Sequence, residues 1–98
     1  METFDRGSAI QVEVEFKQKV PFGVFTYFDP TTPVITITNP LGTAVVTDQV
    51  LTKSAVGKYY YILQTGLAWE AGVYSGVSHG VAGSYEDTTV NEDLFRLK

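Results

Sequence analysis

The residues able to do chemistry are few, and they are scattered. One histidine, His79, stands in Tyr74-Ser75-Gly76-Val77-Ser78-His79-Gly80, with Glu70, Glu86 and Asp87 the nearest carboxylates in the chain and no cysteine anywhere. Acid–base catalysis needs an imidazole and a carboxylate to converge on one proton, whereas a lone histidine on a strand surface needs no function to sit there. The serines lack a Gly-x-Ser-x-Gly elbow, and Gly66 to Gly72 lacks the Lys-Ser/Thr end of a phosphate loop. Glu86, Asp87, Glu92 and Asp93 are oxygen donors without the Asp-x-Asp-x-Asp-Gly spacing of a calcium loop, and they read as a solvated strand and turn. The expectation is a protein that is not an enzyme, with no cofactor and no metal site.

Aromatic residues offer a different chemistry, that of contact. The densest stretch is Lys58-Tyr59-Tyr60-Tyr61-Ile62-Leu63-Gln64-Thr65, followed by Gly66-Leu67-Ala68-Trp69-Glu70-Ala71-Gly72 and Val73-Tyr74. Side chains alternate along a strand, so Tyr59, Tyr61 and Leu63 share a core face, and Lys58, Tyr60, Ile62 and Gln64 share a half-wet one. Tyr60 beside Ile62 is the foremost interface candidate, since an exposed aromatic next to a β-branched residue is typical of contact surfaces. Phe4 in the opening segment and Phe95 in the last are further candidates for docking on a neighbour. Trp69 could stack on a sugar ring or close one end of the fold from its loop.

These side chains must be positioned by a sheet framework. Ile10, Val12, Val14 and Phe16 alternate with Gln11, Glu13, Glu15 and Lys17, the mark of a strand with one buried and one wet face. Val24-Phe25-Thr26-Tyr27-Phe28 reads as a short aromatic strand ending at the turn Asp29-Pro30-Thr31-Thr32-Pro33. Pro33 to Thr38 is β-branched and predicts a strand, which stops at Asn39-Pro40-Leu41-Gly42, a composition suited to a type I turn. Beyond Thr43 to Val46 and Gln49 to Lys53, Val73 to His79 is extended, with Tyr74, Gly76 and Ser78 on one side and Val73, Val77 and His79 on the other. Periodicity does not say which side is inside. Gly80-Val81-Ala82-Gly83 reads as a turn into a final strand that pairs with an earlier one. No segment has a helical period, and turn signals recur about every ten residues, as in antiparallel sandwiches.

A chain of 98 residues with 44% hydrophobic residues fits one folded domain. Residues 1–9 are expected to form an N-terminal arm, and residues 10–98 the domain. A net charge of -4 with seven scattered basic residues argues against nucleic-acid binding, which needs clustered Lys and Arg. No run approaches membrane-span length, and Met1-Glu2-Thr3-Phe4-Asp5-Arg6 has neither a basic leader nor an apolar run. The expectation is a protein made and assembled in the cytoplasm.

The order of these signals resembles a known group. The β-branched strand, Asn39-Pro40-Leu41-Gly42-Thr43 with Val45-Val46, Leu51-Thr52-Lys53, Val56-Gly57-Lys58-Tyr59-Tyr60-Tyr61 and Trp69-Glu70-Ala71-Gly72-Val73-Tyr74 resemble small immunoglobulin-like domains. Such domains occur as short reading frames among the head, neck and tail genes of tailed bacteriophages and prophages. The likeness covers roughly residues 10–97 and lacks the cysteine pair of antibody domains. It implies an all-β, immunoglobulin-like antiparallel sandwich of about seven strands. It further implies a non-enzymatic virion component, such as a head decoration, neck or tail accessory protein, assembled in the host cytoplasm on other virion proteins or on copies of itself. The alternative is a free-standing module that binds carbohydrate or a bacterial surface through Trp69 and the aromatic strand at Phe25 to Phe28.

Overall fold

The alternation that begins at Ile10 is realised as an extended strand, with Ile10 and Val12 buried and Gln11, Glu13 and Glu15 in solvent. The computed structural model describes residues 1–18, 26–82 and 85–98. In chain order the strands among them are β1 (Thr3–Phe4), β2 (Ala9–Glu15), β3 (Lys17–Gln18), β4 (Thr26–Tyr27), β5 (Thr31–Thr38), β6 (Ala44–Val50), β7 (Thr52–Ala55), β8 (Lys58–Gln64), β9 (Gly72–Ala82) and β10 (Tyr85–Leu97). Where about seven were expected, ten strands are described: seven have four or more residues and three have only two. Phe25, in the expected aromatic strand, lies outside the described residues.

One sheet has the order β1-β10-β9-β5-β6, a second has β2-β8-β7, and β3 with β4 makes a two-stranded ribbon. Pairing is antiparallel throughout, except that β1 runs parallel to β10. The two sheets enclose one core, so the fold is all-β and a β-sandwich. Ile10, Val12, Tyr59 and Leu63 contribute from the narrower sheet, and Ile35, Ile37, Tyr74, Phe95 and Leu97 from the wider one. Burial of these side chains supplies the main drive to fold, at about 25 cal/mol per Å² of apolar surface removed from water.

Local chemistry sets the connections. At the β5–β6 hairpin the Asn39 carbonyl accepts from the Gly42 amide at 3.0 Å, while Asn39 Oδ1 accepts from the amides of Leu41 and Thr43. Gly42 has φ +86°, which a side chain would resist, so asparagine and glycine together fix this turn. The run after it does not stay in one sheet. β6 ends at Val50, Leu51 is buried with its amide bonded to the Pro33 carbonyl at 2.9 Å, and β7 then belongs to the other sheet.

One further expectation changes. Of the turn expected at Gly80-Val81-Ala82-Gly83, residues 80–82 continue β9, since Gly80, Val81 and Ala82 pair with Asp87, Glu86 and Tyr85, and Gly83 lies outside the described residues. Cross-strand hydrogen bonds outweigh the local turn propensity of the glycine. The opening segment lies along β10: the amides of Arg96 and Lys98 donate to the carbonyls of Glu2 and Phe4 at 2.9 and 3.0 Å.

Candidate functional site

The tyrosine strand places the two foremost contact candidates side by side. Along β8, Tyr59 and Leu63 are buried and Tyr61 packs half-buried against the core, so Tyr60 and Ile62 point away from it. Tyr60 is half-buried, flanked in register by Glu13 of β2 and Thr52 of β7, and Ile62 is 58% exposed opposite Gln11. A large aliphatic group in mid-strand, uncovered by its own fold, is the apolar centre of this face. Charge gathers at the other end of β8, four positions from Ile62: Lys17 pairs with Glu15 at 3.0 Å, and the Lys17 and Lys58 ammonium groups each lie 5.3 Å from the Tyr27 ring centre. The Lys17 hydrogen bond holds the Glu15 carboxyl below its ordinary value.

Trp69, Phe4 and Phe95 are brought together elsewhere. Trp69 stacks on Tyr74 with ring centres 6.1 Å apart, Tyr74 stacks on Phe95 at 4.9 Å, and Phe4 meets Phe95 edge-on at 6.3 Å. Phe95 is 2% exposed because it and Leu97 fall on the inward face of β10, which makes it a core residue. Phe4 and Trp69 are half-buried lids over the two ends of this row of rings. The Tyr74 hydroxyl donates to the Glu70 carbonyl at 2.8 Å, and burial raises its pKa, with the Glu70 charge adding to the effect.

Two anchors carry no motif that sequence reasoning could single out. Asp29 receives the Lys53 ammonium at 2.7 Å, the Gly57 amide at 2.9 Å and the Tyr59 hydroxyl at 3.2 Å. Lys53 first and Gly57 second depress its carboxyl pKa. Thr65, buried, has its Oγ1 accept from the Gly7 amide and donate to the Ser8 carbonyl, which ties the β8–β9 loop to the β1–β2 turn. An Asp-Pro turn and a strand-end threonine are too common to flag these roles in advance.

The candidates for reaction chemistry stay dispersed. His79 is half-buried, with Nδ1 3.0 Å from the Thr88 hydroxyl across the β9–β10 ladder. Glu86 and Asp87 pair near the hairpin end of β10, while Glu92 and Asp93 sit in its irregularity between Asn91 and Phe95. That separates the two pairs by five residues, roughly 17 Å of extended chain. Among the described residues no three His, Asp or Glu side chains stand close enough to share a metal ion. What the outer face of the narrower sheet offers is apolar surface at Ile62 beside the half-buried Tyr60.

Comparison with protein-family models, with curated proteins and with solved structures finds no match to this chain.

Proposed function

We propose that the chain is a non-enzymatic structural or accessory subunit of a phage particle, with an immunoglobulin-like fold, that docks in multiple copies on itself or on other virion proteins. The observation that carries the docking role is Ile62, 58% exposed in mid-strand beside Tyr60 on the outer face of the narrower sheet. Burying what Ile62 still exposes on a neighbour would stabilise the contact by about 1 to 2 kcal/mol, roughly half the transfer value of a fully exposed aliphatic side chain.

Strand order supports the immunoglobulin-like part of this reading. Taking β2, β5, β6, β7, β8, β9 and β10 as strands B, C, C′, D, E, F and G puts B, E and D in one sheet and C′, C, F and G in the other, as in immunoglobulin sandwiches. The bond from the Tyr74 hydroxyl at the start of β9 to a carbonyl four residues upstream matches the tyrosine corner of those folds. The carbohydrate reading gains less, because one face of the Trp69 indole is already taken by Tyr74.

Size-exclusion chromatography with light scattering at several concentrations tests the proposal. The expected result is a discrete oligomer that Tyr60→Ser/Ile62→Ser dissolves while urea unfolding of the monomer is unchanged. A wild-type protein that stays monomeric at every concentration, and on addition of purified phage shells, would overturn it.

A further inference from the structure

The narrower sheet stops short on one side of the sandwich. Its order is β2-β8-β7, and β7 follows β6 across the single residue Leu51, so β7 lies on the β6 side and β2 lies on the side of β10 and β1. Among the described residues no strand pairs with β2 on the side away from β8. The edge runs for seven residues, about 24 Å of chain. Beside it, the strand on the outer side of β10 among the described residues is the two-residue β1, paired at Arg96 and Leu97.

Between these two edges runs a groove of about 320 Å³, walled by Ile10, Val12 and Glu13 of β2 and by Leu94, Phe95 and Phe4 opposite. A smaller hollow of about 100 Å³ shares Glu13, Asn91 and Leu94 as walls and reaches Ile35 and Ser78, which are core residues. Glu2 and Glu13 line the first space, and Glu13 and Glu15 the second; neither is lined by a Lys or Arg among the described residues.

We infer that β2 accepts a fourth strand for the narrower sheet: an extended segment of another protein chain, with aliphatic residues alternating with Lys or Arg. Backbone amides and carbonyls of β2 supply the hydrogen bonds, as in other cases of strand addition to a sheet edge. Side chains of the added strand that point inward would lie over Leu94 and Phe4. Those pointing outward would sit beside Gln11, Glu13 and Glu15, which form the wet row of β2. Like charges directly opposite are destabilising, so two β2 edges from two copies would meet this cost in an antiparallel register that sets Glu13 opposite Glu13. The inference needs only the groove and is independent of the particle reading.

The test is titration of the ¹⁵N-labelled full chain with an acetylated, amidated peptide Lys-Val-Arg-Ile-Lys-Val-Thr, followed by amide chemical shifts. The largest shift changes are expected at residues 9–15 and at Leu94 and Phe95, with none at the far edge of the same sheet, Thr52–Ala55. Glu13→Lys/Glu15→Lys should weaken binding about tenfold, the sum of a few cross-strand charge pairs; a thermal melt checks that this variant is folded. The same peptide with glutamates for its basic residues should not bind. Absence of shifts at millimolar peptide, or equal binding by a backbone N-methylated peptide that cannot pair, overturns the inference. So does self-association of Glu13→Gln/Glu15→Gln without peptide binding by the wild type, since the glutamates would then only guard a bare edge.

Discussion

The rings of Tyr74 and Phe95 lie 4.9 Å apart and 13° from parallel, with neither side chain more than 2% exposed. Their stack joins β9 to β10 and supports Trp69 at one end and Phe4 at the other. Phe95→Ala leaves a cavity bordered by the rings of Tyr74 and Phe4, with Trp69 one neighbour away. It should cost about 3 to 5 kcal/mol in urea unfolding. Tyr74→Phe keeps the stack and removes only the bond to the Glu70 carbonyl, at about 0.5 to 1.5 kcal/mol. Equal losses in the two variants would show that the hydroxyl, rather than the ring, holds this corner.

Phe4 extends that row from a segment held by two backbone bonds and an exposed ion pair between Lys98 and Asp5 at 3.6 Å. Phe4→Ala should lower stability by about 1 to 2 kcal/mol, roughly half the transfer value of a fully buried phenylalanine. It should also speed amide exchange at Arg96 and Lys98, whose donors point at Glu2 and Phe4. Unchanged exchange at those two amides would mean that the ring does not hold β1 in place.

Asp29 predicts an acid limb of stability. Its folded pKa lies below the ordinary 3.8 because Lys53 and the Gly57 amide favour the charged carboxylate. Its contribution is therefore complete above that ordinary value and disappears as pH falls through the lowered one. Thermal melts between neutral pH and pH 2 should show Asp29→Asn to be less stable than wild type at neutral pH, with the two converging in strong acid. A constant gap across that range would assign the loss to the neutral hydrogen bonds instead.

Gly57 is held where a side chain does not fit. Its φ is +69°, and a Cβ would come 2.7 Å from the Phe16 carbonyl oxygen and 2.8 Å from the Tyr27 Cβ. Gly57→Ala should therefore cost more than about 1 kcal/mol in denaturant unfolding. A neutral result would mean that the β7–β8 turn relaxes away from Phe16.

Much of this frame is legible in the residues themselves. The alternation from Ile10 to Lys17 and the outward set of Tyr60 and Ile62 follow from strand geometry, and Asn39 to Gly42 carries its turn chemistry in its composition. The inner face of β9 was not legible, because its glycines are there for their neighbours. A Cβ on Gly76 would come 3.0 Å from Leu94 Cδ2, and one on Gly80 would come 2.6 Å from the Pro30 Cβ. Val77, the more apolar choice, is 39% exposed on the outside. The Asp29 latch was hidden for a similar reason: its partners lie 24 to 30 positions away in the chain.

The passage of the chain through Leu51 has a mechanical consequence. Because β6 and β7 are successive parts of nearly one extended run, a pull that slides one sheet over the other is borne at once by the covalent backbone at this corner. On the opposite side the covalent link is the longer turn of residues 5–8 between β1 and β2, which leaves the sheets more play there than the single residue at the Leu51 corner does. A shearing load on such a domain would be expected to widen the groove along the β2 edge before it reached the Leu51 corner, without separating the layers.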